Sequence, residues 1–580
     1  MQKSAAGGGG GATGRNKKRP STLRLGQVAA IALKRANPTS HRGLAEQVRR
    51  AEEQRIWAVA MAERFGRGDG DRGDAAGGTS AGAPSPLVQS PEELAHWYRQ
   101  HVGQYVATAL AAGRSLWPAQ RRMIEAMRQR EEEPLEAGVR GAVLCFPPGK
   151  GKTRAVLEWV LEDKLALIEQ HGTEARFRHP TIVVVPKSLA TQWHRELRKY
   201  YPPQVLSVLW IRGREAAEQA LAVDVAQLLH CIDLVLLTYD MVKGAYGGVD
   251  GERRGIFAVA WRRVVLDEAH LVVNEDTQAF QSATQLRAER RILVTATPFP
   301  NSQTQELNAI LRFLGSTEQL PDTLDHAETA AAVPVEVARR RRLIEQYFLR
   351  PSEAEAEEDP RPVVVRVDLH PEVERPQYEQ LAAQHAARAD NEMALRTKLR
   401  KLCVSPVLLQ PKEQWDPTRA PSSRIAAVLH YLAERLAPNE KALVFCEWLK
   451  PLYELKHHLD RRQISNVLVR GTMDVPTRTE IFDRIMDEGA DPRVALLPLK
   501  IGAFGLNFHR ANHVIILAGH YHPCAEVQAF GRINRPEQTR PMHFVKFVTP
   551  GTIDEWILNI NETKDQRKRD MMWRHAPSSA

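Results

Sequence analysis

The sequence predicts an α/β protein made of two parallel-sheet lobes joined by a helical segment, preceded by a disordered basic tail. Three observations carry this expectation. Short runs of aliphatic and β-branched residues recur in two series, each run bounded by turn residues. The gaps between runs are long enough for the crossover helices that parallel strands require. The runs are apolar almost throughout, as expected of strands covered on both faces.

The first series is GAVLCF (141–146), TIVVVP (181–186), DLVLLTYD (233–240), RRVVLDEA (262–269) and RRILVTATP (290–298), which places one lobe over 90–315. The second is KALVFCEW (441–448), NVLVRG (466–471), RVALLPL (493–499), NHVIILA (512–518) and MHFVKFV (542–548), which places the other over 421–560. Residues 316–420 form a charged, helix-leaning bridge with an acidic loop, EAEAEEDPRP (353–362). Residues 1–22 are Gly-rich and then basic, too poor in apolar residues to fold. Their RNKKRP run (15–20) reads equally as a nuclear-import or nucleic-acid patch and as a solvated tail. Residues 23–65 read as Ala/Arg-rich helices able to dock a protein partner or the first lobe, 66–89 as a flexible linker, and 561–580 as a basic tail.

With 580 residues and 43% hydrophobic content, the chain can build more than one packed core. Mean hydropathy is −0.39, and no run approaches the roughly eighteen apolar residues of a membrane span. The N-terminal residues lack the apolar core of a secretory signal. Five scattered cysteines without a CxxC pair argue against a disulfide framework or a zinc site and fit a reducing compartment. An intracellular, non-membrane protein is expected, nuclear in a eukaryote or a host nucleus and otherwise cytoplasmic. The net charge of +10 suits a polyanionic partner, although charge alone is weak evidence.

LCFPPGKGKTRAV (144–156) has the parts of a phosphate-binding loop. A buried strand leads in, a glycine-permissive turn follows, and a helix starts with its positive end toward the turn. Gly149 and Gly151 can take positive φ and bring the backbone close to an anion. Pro147 and Pro148 lack donors, so cradling falls to the N–H groups from Gly149 through Lys150 and Gly151 onward. Lys152 is placed to reach the β- and γ-phosphates and Thr153 to ligate Mg²⁺. Phe146 stands where the usual pattern has its first glycine, so a surface turn is the competing reading. VVLDEAH (264–270) weighs against that reading: Asp267 can hold Mg²⁺ through water, and Glu268 can orient and deprotonate an attacking water. Together the two segments predict a P-loop NTPase fold using ATP and Mg²⁺.

At this point the chain resembles the superfamily-two helicase-type ATPases with a DEAH box, and more closely the Swi/Snf (sucrose-non-fermenting) family of DNA-dependent translocases. Ordered segments carry the resemblance: LWPAQRRMIEAM (116–127), VVPKSLATQWHREL (184–197), LLTYDMV (236–242), LVTATPFPN (293–301), FLRP (348–351) and LRKLCVSPVLL (399–409). In the second lobe they are LVFCEW (443–448), RGTMDVPTR (470–478), LPLKIGAFGLNFHRANHVIIL (497–517), QAFGRINRPEQTRP (528–541) and FVTPGTIDEWIL (547–558). The chain departs from the family where apolar residues replace acidic ones near Phe146 and Pro147, at Gly531 where an acidic residue is usual, and at Asn534 where histidine is common.

The resemblance implies two RecA-like lobes with ATP between them. It assigns the adenine edge to Gln120, nucleotide sensing to Gln528, the γ-phosphate to Arg532 and Arg535, and coupling to Thr295 and Thr297. Nucleic-acid backbone falls to Lys187, Thr238 with Tyr239, Lys500, Gly502 and Asn507. The implied function is an ATP hydrolase that moves on double-stranded DNA independently of sequence and remodels protein–DNA complexes or DNA structure. Two alternatives stay open: a strand-separating DNA or RNA helicase, and a catalytically degenerate nucleic-acid-binding scaffold.

Overall fold

The computed structural model describes residues 116–572, apart from 133–139, 172–179, 202–205, 212–231, 247–254, 302, 322–332, 352–360, 388–391, 412–415, 417–418, 490, 500–506, 522 and 536. The expectations for 1–22, 23–65 and 66–89 lie outside the described residues, as do Lys500 and Gly502.

Two all-parallel sheets organise the described chain. The first holds β1 (Gly141–Cys145), β2 (Thr181–Val185), β3 (Val208–Trp210), β4 (Leu234–Thr238), β5 (Trp261–Asp267), β6 (Ala288–Thr295) and β7 (Phe348–Leu349), in spatial order β3-β4-β2-β5-β6-β1-β7. The second holds β8 (Val363–Arg366), β9 (Ala442–Cys446), β10 (Asn466–Leu468), β11 (Val494–Pro498), β12 (His513–Ile516) and β13 (His543–Val548), in order β10-β11-β9-β12-β13-β8. Successive side chains of a strand face opposite ways, so each apolar strand feeds two cores. Val143 and Cys145 pack on one face of the first sheet, and Ala142 and Leu144 on the other. In the second sheet Val444 and Cys446 face one core while Leu443 and Phe445 face the other.

The bridge expected to be helical contributes an edge strand to each sheet. β7 pairs with β1, the strand that leads into the phosphate loop, and β8 pairs with β13. Its helices are Val333–Tyr347, Glu374–Ala387 and Glu392–Val404.

The segment from 561, expected as a basic tail, instead continues the helix Ile553–Met572. This helix starts against the second sheet's core, where buried Asp554 pairs with buried Arg424. It ends in the first lobe, where Met571 and Met572 join a core with Leu343, Ile344, Tyr347 and Phe348. The physical reason is burial: two methionines at the end of a charged run are only 5% and 1% exposed, which anchors the whole last turn.

Candidate active site

β1 delivers the chain to the turn 146–151, and the helix Lys152–His171 begins at once. The Phe146 side chain packs inward among Leu144, Val156 and Trp193 of one core, while its carbonyl stays at the turn. Gly149 (φ +84°) and Gly151 (φ +75°) both occupy the left-handed region that side chains disfavour. Each also has a close neighbour: a Cβ on Gly149 would overlap the Asn534 carbonyl oxygen, and one on Gly151 the Gln120 side chain. Lys152 Nζ donates to the carbonyls of Phe146 (2.7 Å) and Pro147 (3.0 Å). Burial pushes the Lys152 ammonium down, and the carboxylates of Glu268 and Asp267 oppose that shift. Thr153 and Lys150 are half-buried beside it. Gln120, 3% exposed, donates to the Gly151 carbonyl (3.4 Å) and accepts from the Trp117 N–H (3.0 Å).

Asp267 ends β5, two strands away from β1 in the same sheet. Its Oδ2 accepts from Trp193 Nε1 at 2.6 Å and its Oδ1 from the Glu268 N–H at 2.9 Å. The Asp267 carbonyl accepts from the Tyr239 hydroxyl at 2.8 Å. Burial and then the neighbouring Glu268 charge push the Asp267 carboxyl up, while Trp193, Lys152 and the Glu268 N–H hold it back. Glu268 sits at φ 50°, a left-handed conformation rare for a non-glycine residue. Its carboxylate lies 3.3 Å from His270 Nδ1. Burial works to raise the Glu268 carboxyl, but His270, Lys152 and Arg532 outweigh it and hold it below the usual carboxylate range.

The second lobe closes this site. Gly531, Arg532, Asn534 and Arg535 follow the helix Pro523–Phe530, which carries half-buried Gln528. A Cβ on Gly531 would overlap the Pro148 ring of the loop, and the Arg535 side chain lies close to Gly149. Arg532 is 6% exposed, and burial followed by the like charge of Arg535 pushes it down, with Glu268 opposing. Arg535 is pushed down by burial against the pull of Glu196 and Glu537. The Nε of each has no hydrogen-bond partner among the described residues. A guanidinium keeps its proton at any ordinary pH, so these shifts describe two fixed like charges short of acceptors. Together with Lys152 they make a cleft that favours an anion.

Residues 119–405 match the family model of the SNF2-related domain, and residues 423–537 match that of the helicase conserved C-terminal domain. The chain belongs to the Swi/Snf-type family of helicase-like ATPases. A protein named "Probable global transactivator" from Orgyia pseudotsugata multicapsid polyhedrosis virus is 28% identical over 458 residues, covering 74% of this chain and 85% of the relative. The yeast (Saccharomyces cerevisiae) ISWI chromatin-remodeling complex ATPase ISW2 is 24% identical over 403 residues, covering 65% of this chain and 35% of the relative. A solved Sulfolobus solfataricus SWI2/SNF2 ATPase core in complex with dsDNA aligns over 79% of this chain and 94% of its own at 20% identity, with a TM-score of 0.36.

In this Swi/Snf-type chain the remaining expected residues fall into two groups. Thr295 ends β6 and Thr297 lies just beyond it: Thr295 Oγ1 accepts from the Thr297 N–H at 3.0 Å. The Ala296 carbonyl between them accepts from Lys568 of the long C-terminal helix at 3.5 Å. Thr238 ends β4 level with Val185, the last residue of the neighbouring β2, and Lys187 follows two residues later. Lys187 and Asn507 are exposed. Tyr239, expected beside Thr238 at the nucleic-acid backbone, is 5% exposed, and its hydroxyl donates to the Asp267 carbonyl. Trp193, His270 and Lys568 join the site without having been singled out by role. Trp193 carried a signal in its run, a tryptophan on the buried face of the helix Ala190–Tyr200. No helix among the described residues is long and apolar enough to cross a membrane.

Proposed function

We propose that this protein is an ATP-hydrolysing, nucleic-acid-dependent motor that moves along duplex DNA without reading its sequence and so remodels protein–DNA complexes or DNA structure. The observation that carries the reading is the placement of buried Arg532 and half-buried Arg535 of one lobe against the phosphate loop of the other. A site assembled from two lobes works only when they close, which ties hydrolysis to lobe motion.

In this reading Lys152 exchanges the carbonyls of Phe146 and Pro147 for phosphate oxygens. The N–H groups from Gly149 to Thr153 cradle the phosphates, Gln120 takes the adenine edge, and Gln528 faces the bound nucleotide. Glu268, held ionised, orients the attacking water and accepts its proton. Arg532 and Arg535 stabilise charge on the transferring phosphoryl group, a contribution of about 10³-fold or more. The hydroxyl of Thr153 and the carboxylate of Asp267 are hard oxygen donors of the kind Mg²⁺ takes. Bound there, the ion would neutralise phosphate charge. Lys187, Thr238 and Asn507, with Lys500 and Gly502, contact the nucleic-acid backbone. Such contacts position a duplex and carry no base information. Thr295 and Thr297 relay closure between nucleic acid and cleft.

The test is steady-state ATP hydrolysis by the wild type and Lys152→Ala, each alone and with duplex DNA, single-stranded DNA or RNA. Stimulation by duplex DNA in the wild type, absent from the variant, is the expected result. Stimulation by single strands or RNA only replaces translocation with strand separation. Equal inactivity of both proteins refutes the motor and favours a binding scaffold.

A further inference from the structure

We propose that Glu440, His513 and His543 form a binding site for a divalent, imidazole-preferring cation of the zinc class, separate from the Mg²⁺ position of the nucleotide cleft. The cluster is built where β12 and β13 begin. His513 and His543 are the first residues of these strands and lie in register with one another. Glu440 precedes β9, the strand on the other side of β12. One ligand atom from each of the three residues lies within 4.8 Å of the others. His513 Nε2 and Glu440 Oε2 are already 3.1 Å apart, a separation that two ligands of one zinc ion, each at about 2.0–2.2 Å, can adopt.

The surroundings resemble the outer layer of a metal site. The other ring nitrogen of His513, Nδ1, lies 3.0 Å from the Tyr431 hydroxyl, which fixes the ring with Nε2 aimed at Glu440. Glu440 is oriented twice: Oε1 accepts from Asn512 Nδ2 at 2.6 Å, and Oε2 from the Ala437 N–H at 3.0 Å. Asn512 also donates to the Pro541 carbonyl at 3.2 Å, so the same network holds the entry to β13. His513 is 1% exposed, and burial, helped by His543, pushes its imidazole down while Glu440 opposes.

Two adjustments are needed: the proton shared by His513 Nε2 and Glu440 Oε2 gives way to the ion, and the His543 ring turns. The two imidazoles are stacked, with centroids 4.4 Å apart and planes 19° from parallel. His543 is exposed, so its ring can turn about χ2 and aim a nitrogen at the gap between His513 Nε2 and Glu440 Oε2. Two imidazoles and one carboxylate leave a fourth position for water. That donor set suits Zn²⁺, Ni²⁺ or Cu²⁺ and disfavours Mg²⁺, which prefers oxygen throughout. Cysteine spacing could not reveal such a site, because its ligands are histidines thirty positions apart and a glutamate from a third segment.

The full chain, stripped with a chelator and then dialysed, is titrated calorimetrically with Zn²⁺ and separately with Mg²⁺, and its melting is followed in parallel. The wild type is expected to bind about one Zn²⁺ at a site that Mg²⁺ does not fill, and to melt higher when loaded. His543→Ala removes an exposed ligand without opening the core and is expected to weaken Zn²⁺ at least tenfold and abolish the shift. Tyr431→Phe is expected to weaken it by about 10–100-fold through the second layer. X-ray absorption of the loaded protein should give two imidazole ligands. No saturable Zn²⁺ binding, equal binding in His543→Ala, or equal filling by Mg²⁺ each overturns the proposal, the second by placing an adventitious ion elsewhere on the chain.

Discussion

Trp193→Phe isolates one interaction in the proposed ATPase site. The indole Nε1 donates to Asp267 Oδ2 at 2.6 Å, and both groups are buried. Phenylalanine keeps most of the packing and removes the donor. A hydrogen bond to a charged group contributes about 1.5–3 kcal/mol. Trp193 lowers the Asp267 carboxyl against burial and against Glu268, so its loss raises that carboxyl further. At about 1.4 kcal/mol per pH unit, the shift is about 1–2 units upward. Because Asp267 must be ionised to hold Mg²⁺, the acid limb of kcat/KM for ATP should move up by that amount. Activity at pH 7 should fall about 10–100-fold and recover in part at pH 8–9. The assay is DNA-stimulated phosphate release from pH 5.5 to 9.5. A variant that folds, loses activity uniformly and leaves the acid limb unmoved refutes the reasoning, since a packing defect predicts that pattern.

Three further outcomes follow from the same geometry. Asp267→Asn should melt higher than the wild type without nucleotide: a raised folded-state carboxyl favours the protonated form, so ionising it costs stability that accumulates as pH rises above about 4. Melting curves at pH 5 and pH 8 should show the gap widening at the higher pH, and a constant gap counts against the linkage. Gly149→Ala should keep its fold and lose at least tenfold in ATP turnover, because a Cβ there is strained at φ +84° and overlaps the Asn534 carbonyl of the other lobe. Met572→Ala, in the first lobe's core, should cost about 2–5 kcal/mol and speed hydrogen exchange along Ile553–Met572 more than along β9 and β12; unchanged exchange in that helix refutes its anchoring role.

The ten apolar runs of the sequence all became strands; nine are interior strands, and only β10, at a sheet edge, is mostly part-buried, and burial of the interior kind leaves a mark in composition. The three strands that composition did not reveal are sheet edges. β3 is VLW, β7 is FL, and β8 is VVVR with its ends exposed. An edge strand is recruited by backbone pairing, so it needs little apolar sequence of its own. That is why a charged bridge could read as helical throughout. Site residues divide the same way. Lys152 and Asp267 stand in local patterns whose spacing encodes their positions. The Trp193–Asp267 and Tyr239–Asp267 bonds join segments 74 and 28 residues apart, and nothing local records them. The C-terminal helix was hidden for a third reason: DQRKRD (565–570) carries the composition of a solvated tail, and only the two methionines after it are buried.

The departures from the family pattern make more sense as a pair than singly. Pro148 directly follows Phe146 and Pro147, near which apolar residues replace acidic ones, and Gly531 stands in the second lobe where an acidic residue is usual. In the structure these two positions touch: any Cβ on Gly531 would strike the Pro148 ring. An acidic residue at 531 would therefore be wedged against an apolar ring with the loop's Pro147 and Pro148 unable to donate to it. A residue without a side chain at 531 is what the Pro148 ring at this contact requires. Glu268 is the carboxylate that opposes burial at Arg532. The consequence is directional. Gly531→Glu alone should push the lobes apart and slow hydrolysis, whereas the same change made with Pro148→Gly should recover closure, because the second substitution removes the ring and restores a donor. Non-additivity of at least tenfold in kcat between the single and double variants, about 1.4 kcal/mol of coupling, is the expected signature. Additive losses would mean that the two positions vary independently and that closure does not pass through this contact.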